Sequence, residues 1–251
     1  MRLSKAKIKL IRSLEQKKQR DTHRLFVAEG PKLVDELWDY FECSLLVATE
    51  QWVNEHRNYK ADELIIVNQR ELTQASALKT PQQVLALFKQ PNYPMEVEAI
   101  NNSLCLALDG IQDPGNLGTI VRLADWFGIE HIFCSPHTAD IYNTKAIQAT
   151  MGGLARVKLH YTSLIDLIKE VDAPVYGTFL DGETIYDKNL SQKGLIVMGN
   201  EGQGISPELE TLITHKLYIP NYPLNKDSAE SLNVAIATAV VCSEFRRQAI
   251  K

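Results

Sequence analysis

At 251 residues and 45% apolar composition the chain has enough material for one large or two small domains with substantial cores. Four scattered cysteines with no CxxC pair argue against a disulfide framework or a zinc ribbon. With no apolar leader and no apolar run long enough to cross a bilayer, the chain reads as a soluble cytoplasmic protein with buried free thiols. Net charge is −4, yet residues 1–24 hold nine Lys/Arg against Glu15 and Asp21, a local +7 that leaves −11 for the rest. Such a concentrated positive field attracts polyanions whatever the total charge, although a merely solvated basic helix has the same composition.

In chain order, Ser4–Gln19 has helical periodicity through Ile8, Ile11 and Leu14. Arg24–Gly30 predicts a short strand and turn, and a helix follows from Pro31 with Leu33, Val34, Leu37, Trp38 and Phe41 on one face. Strands are expected at Ser44–Ala48, Glu63–Val67 and Val84–Phe88. Helices are expected at Gln51–His56 and after Asn68, which is placed to cap the turn carrying Leu72 and Ala75. Residues 90–101 contain two prolines and no periodicity, so they read as a linker. The boundaries implied are a first domain over 1–95 and a second over 102–251.

The second domain alternates more cleanly. Strands are predicted at Leu104–Leu108, His131–Cys134, Val157–His160, Val175–Leu180, Leu195–Met198 and Leu217–Ile219. Helices are predicted at Leu117–Phe127, Thr144–Met151, Ser163–Val171, Ser206–Ile213 and Ser231–Gln248. This order implies an α/β fold with a mostly parallel sheet between helices. The last helix is apolar for three turns, charged only at Glu244, Arg246 and Arg247, and calls for burial, within the domain or against another subunit.

Parallel sheets bind ligands in crevices outside the carboxyl ends of their strands, so the strand-exit loops are the candidate site. The first loop, from Asp109 to Thr119, contains the turn Asp113-Pro114-Gly115-Asn116, with Asn116 placed to cap the next helix. On that helix Arg122 lies among Ile120, Val121, Leu123 and Ala124, where a guanidinium needs an anion; an ion pair with Asp125 would serve equally. The second loop, GNEGQG from Gly199, has three glycines that allow close approach of a ligand to backbone. The third leaves Ile219-Pro220 and runs to Ser231. The GNEGQG of the second loop differs in order and place from the GxGxxG that a dinucleotide-binding fold carries after its first strand, and no His/Cys/Asp cluster has metal-ligand spacing.

DPGNLGTIVRLADWFG, VMGNEGQGIS and the IP…ESLNVAIATA segment resemble the three motifs of the SpoU (TrmH-like) ribose 2′-O-methyltransferases of the SPOUT superfamily, over roughly residues 104–247. FVAEGPKLVDEL resembles the L30e-like substrate-binding domain attached to many of them. The resemblance implies a C-terminal trefoil-knotted methyltransferase domain, a small N-terminal α/β domain, a homodimer and S-adenosyl-L-methionine as cofactor. Carried over by motif, Asn116, Arg122, Glu201, Ser231 and Asn233 are the catalytic set, Glu201 orienting Arg122 or loop backbone. Thr178, Gly199, Asn200, Gly202, Ile219, Pro220 and Leu232 are the cofactor contacts, and no metal is implied. The third motif departs from the family pattern at Asn221–Asp227, where a glycine is usual soon after Ile-Pro. The implied substrate is RNA, ribosomal before transfer RNA, with a non-catalytic RNA-binding relative as the other alternative. Such a relative would be expected to lose Arg122, Glu201 or Asn233, which this chain keeps.

Overall fold

The computed structural model describes residues 3–56, 58–223 and 231–250. Two compact units are formed, one from residues 1–92 and 140–155, the other from 93–139 and 156–251.

The first unit opens with α1 (Lys5–Ser13) and α2 (Lys17–His23), where the periodicity predicts a single helix. The break has a cause. The Arg20 guanidinium is buried, donating to the Leu14 and Glu15 carbonyls at 2.8 and 2.7 Å and to Asp140 Oδ2 at 2.9 and 2.6 Å, so it holds the turn between the two helices. Next come β1 (Leu25–Glu29), α3 (Pro31–Trp38), β2 (Cys43–Thr49), α4 (Glu50–Glu55), β3 (Glu63–Val67), α5 (Gln69–Ala75) and β4 (Val84–Lys89). Asn68 caps α5 in a full capping box with Glu71. The sheet order is β1-β4-β2-β3, with β4 antiparallel to both neighbours and β2 parallel to β3. Ile11, Leu14, Val47, Ile65, Leu72 and Leu87 form the core on one face. Phe26, Phe41, Phe88 and Trp38 pack edge-on and tilted in a second cluster.

In the second unit the expected linker carries a helix, α6 (Glu98–Asn102), because Ile100 is fully buried in the core with Val97 and Ala99 against it. After it come β5 (Leu104–Leu108), α7 (Pro114–Trp126) and β6 (His131–Cys134). The segment 140–155, with α8 (Thr144–Thr150), packs with the first unit, where Tyr142 stacks on Phe26 and Gln148 donates to the Glu29 carbonyl at 3.0 Å. The second unit resumes with β7 (Lys158–Tyr161), α9 (Leu164–Lys169), β8 (Val175–Thr184), β9 (Gly194–Met198), α10 (Pro207–Glu210), β10 (His215–Tyr218) and α11 (Val234–Ala249).

Its six strands, ordered β10-β8-β9-β5-β6-β7, are all parallel. β5, β6 and β9 are buried at every residue, as a sheet covered on both faces requires. Cys105, Ala107, Leu195 and Val197 join Leu164, Leu167 and Leu209 on one face. Alternation sends Leu104, Leu106 and Leu108 to the other, where α7 and α11 pack together. All four thiols are buried, and burial pushes Cys105 up to about 11 and Cys242 to about 12, which makes them packing groups rather than nucleophiles.

Across the β6–β7 pair of this sheet His131 Nδ1 lies 3.1 Å from His160 Nε2, both rings buried and stacked, with Phe133 against His160. One N–H can bridge the two nitrogens only while one of them is unprotonated. Burial, helped by the neighbouring His131, lowers His160 to about 4, and burial also lowers His131 against the opposing pull of Glu130 and Glu96. The unfolded imidazole, near 6.5, therefore takes up its proton first as pH falls. Stability should be full above pH ~6.5 and decline toward pH ~4, with a slope of up to about 1.4 kcal/mol per pH unit for each such proton. Urea midpoints measured across that window should fall, and His160→Phe should flatten the fall; an unchanged slope in the variant would assign the acid sensitivity to other groups.

Candidate active site

β5, β9 and β10 all end on the same side of the sheet, and their exits are the three loops singled out by sequence. Asp113, not Asn116, caps α7: its carboxylate accepts the Asn116 backbone N–H at 2.9 Å, and Pro114 occupies the first turn. This leaves the Asn116 side chain free for another use. Its Nδ2 donates to Glu201 Oε1 at 2.8 Å, and its Oδ1 accepts from Asn233 Nδ2 at 3.1 Å. Asn233 Oδ1 in turn caps α11, accepting the N–H groups of Ala235 and Ile236 at 3.0 and 3.3 Å. One polarised chain of amides and carboxylate thus joins all three loops. Glu201 is occupied by Asn116 rather than by Arg122, and Ser231 is exposed and lies two residues outside the cap.

Arg122 is exposed on α7, without a hydrogen-bond or ion-pair partner among the described residues. The alternative pairing with Asp125 is not made, because Asp125 takes the bidentate fork of Arg156 at 2.7 and 2.9 Å. A cation so placed is available to an incoming anion.

The second loop is closed by backbone. Asn200 and Gly204 exchange both N–H···O bonds at 2.9 Å, and a Cβ on Gly199 would stand 2.2 Å from the Gly204 carbonyl carbon, so no side chain fits there. Asn200 Oδ1 also accepts the Gly202 and Gln203 N–H groups at 2.9 and 3.1 Å. Thr178, within β8, and Gly199, Ile219 and Pro220, just past the ends of β9 and β10, are half-buried, and Gly202 and Leu232 are exposed. None carries a charge, which suits a ligand held by backbone and shape. Of the divergent segment, Leu224–Asp227 lies outside the described residues. Among the described residues no group of three or more His, Cys, Asp and Glu could hold a metal ion, and no helix is long and apolar enough to cross a membrane.

Sequence reading missed Asp109, whose carboxylate accepts the Ser206 N–H at 2.8 Å, and Ser135, whose hydroxyl accepts the Gly110 N–H at 2.9 Å. The signal for Asp109 was present, since it is a carboxylate directly after a wholly apolar strand.

Residues 103–243 match the SpoU rRNA methylase family. The chain belongs to that family. Residues 5–86 match the MRM3-like substrate binding domain, which places a second family domain ahead of the methylase region. Among curated relatives, the chain is 30% identical over 249 residues to the 23S rRNA (guanosine(2553)-2′-O)-methyltransferase RlmP of Bacillus subtilis, covering 96% of each. It is 31% identical to the 23S rRNA (guanosine-2′-O-)-methyltransferase RlmB of Neisseria meningitidis, over 59% of each chain. Among solved structures, one from Porphyromonas gingivalis described as of the TrmH family superposes with TM-score 0.90 at 40% identity, over 99% of this chain and 100% of that one. An AdoMet-bound rRNA methyltransferase from Sinorhizobium meliloti superposes with TM-score 0.84 at 32% identity, over 96% and 94%.

Proposed function

We propose that this SpoU-family chain is an RNA (ribose-2′-O) methyltransferase that uses S-adenosylmethionine and acts on ribosomal RNA. The observation that carries the reading is the Glu201–Asn116–Asn233 chain joining the three strand-exit loops, with the unpaired Arg122 on the same helix as Asn116. The ribosomal choice draws on the full-length likeness to RlmP.

The cofactor, when bound, supplies an electrophilic methyl group on a sulfonium. Thr178, Gly199, Gly202, Ile219, Pro220 and Leu232 would hold it by backbone and apolar contact, while Asn200 shapes the loop. The chain's own part is alignment, which supplies much of the rate when two reactants are held in near-attack geometry. Arg122 cannot act as a base, because a guanidinium keeps its proton to a pKa above about 12. It grips the RNA phosphate and steers the ribose hydroxyl, whose proton leaves to that phosphate or to water. Asn116, held on both sides, fixes the first loop against the second and third, and Ser231 lines the third loop.

RNA affinity is assigned to the basic face of the first unit. Arg20 is spent inside the fold, Lys7 pairs with Glu63, Arg24 donates to the Pro91 carbonyl and Arg2 lies outside the described residues, so Lys5, Lys9, Arg12, Lys17 and Lys18, all exposed, remain. Purified protein should transfer labelled methyl from S-adenosylmethionine to the 2′-oxygen of ribosomal RNA and not of transfer RNA. Neutralising those five cations should raise KM for RNA and flatten its salt dependence while kcat holds. Transfer to neither RNA would sink the reading, and a preference for transfer RNA would reassign the substrate.

The same proposal includes a homodimer and a trefoil knot in the second unit. Trp126 at the end of α7 is 83% exposed, and Leu232 before α11 and Ile236 in its first turn are 51% and 56% exposed, apolar groups that a second copy would cover. If Arg122 of one copy serves the cofactor of the other, inactive Arg122→Ala and Asn233→Ala homodimers should regain activity toward one intact site per heterodimer after subunit exchange. A mixture that stays dead after proven exchange would confine each site to one chain. An experimental backbone that closes without a knot when its two ends are joined would remove this part of the proposal.

A further inference from the structure

The strand exits carry a second set of bonds that the catalytic residues do not use. Asp109, the first residue after β5, accepts the Ser206 backbone N–H at 2.8 Å through Oδ2. Ser206 precedes α10, beyond the whole second loop, and no side chain caps that helix. From the other side Asn200 Nδ2 donates to the Gly110 carbonyl at 2.7 Å. Both bonds run from donors on the second-loop segment to acceptors on the first loop, one at each end of the Gly199–Gly204 turn. Gly110 stands at φ +70°, a conformation that glycine adopts without strain, and its N–H is held by Ser135 Oγ at 2.9 Å.

We infer that Asp109 and Asn200 form a latch that sets the spacing of the first and second loops, and that both are positioning residues for methyl transfer rather than cofactor contacts. The inference rests on the proposed reaction and adds to it the parts that fix its geometry. Asn200 supports this assignment directly. Its Oδ1 holds the Gly202 and Gln203 amides, its backbone N–H and carbonyl pair with Gly204, and its Nδ2 reaches Gly110, so its polar groups are turned toward protein. Glu201 is the next residue, and Asn116 lies six residues beyond Gly110. The bond between Asn116 and Glu201 therefore spans two loops whose roots the latch holds. A root that shifts by about 1 Å costs on the order of 10²-fold in rate at a distant reacting centre.

Four variants of the full chain separate the latch from simple loop stability: Asp109→Ala, Asp109→Asn, Asn200→Ala and Asn200→Asp. Asp109→Asn keeps an oxygen for the Ser206 N–H, whereas Asp109→Ala does not. Asn200→Asp keeps the oxygen that holds the Gly202 and Gln203 amides but removes the donor to Gly110. Asp109→Ala should lower kcat about 10²-fold with KM for RNA unchanged, and Asp109→Asn should recover most of the loss. Asn200→Asp should be as slow as Asn200→Ala, although its loop is still held from within. The Ser206 amide should lose hydrogen-exchange protection in Asp109→Ala, a readout that does not depend on the reaction being the one proposed. Wild-type kcat in Asn200→Asp, or a folded Asp109→Ala with wild-type kcat, would overturn the latch. A wild-type protein that neither binds S-adenosylmethionine nor methylates RNA would instead overturn the function, leaving the exchange result to judge the latch.

Discussion

The active end of this molecule depends on what one side-chain amide can do that no other neutral group of its size can. Asn116 accepts from Asn233 on one side and donates to Glu201 on the other, so three loops separated by 85 and 117 residues of sequence meet at one planar group. A carboxylate at 116 would repel Glu201, and a hydroxyl is too short to reach both. The polarity of the chain is fixed at its far end, where the α11 amides require the oxygen of Asn233 and turn its NH2 toward Asn116.

This arrangement needs a rigid base, and the parallel sheet provides it. β5 and β9 pair along their full length, Leu104–Leu108 against Gly194–Met198, so the first and second loops depart from adjacent, wholly buried strand ends. The tight backbone approach at Gly199 lets the second loop turn at once, and that keeps Glu201 within reach of the first turn of α7. Burial of the strands therefore sets the directions in which their loops leave.

Much of the second unit was legible in the sequence because its signals are local. Continuous apolar runs bounded by glycine mark β5 and β9 to within a residue, and the alternation of strands and helices requires parallel order. The first unit was less legible, since an alternating reading does not reveal that β4 inserts between β1 and β2 as an antiparallel strand. Arg20 misleads for a similar reason. In sequence it is one of nine cations on a basic stretch, and the carboxylate of Asp140, 120 residues away, with the Leu14 and Glu15 carbonyls, makes it a core residue. The α6 helix escaped because its anchor is the single buried Ile100. At the site, Asn116 looked like a helix cap because two cap-forming residues lie three apart. The structure gives that task to Asp113 and so frees Asn116 for the contact that joins the motifs.

Whether Asn116 and Glu201 work as one functional unit is tested most directly by a double-mutant cycle on kcat. Asn116→Ala, Glu201→Ala and the double variant should lose activity to within about threefold of one another, because removing either partner already breaks the chain. A double variant whose loss is the product of the two single losses would mean that the residues act independently, and the bond between them would then have no part in aligning the site.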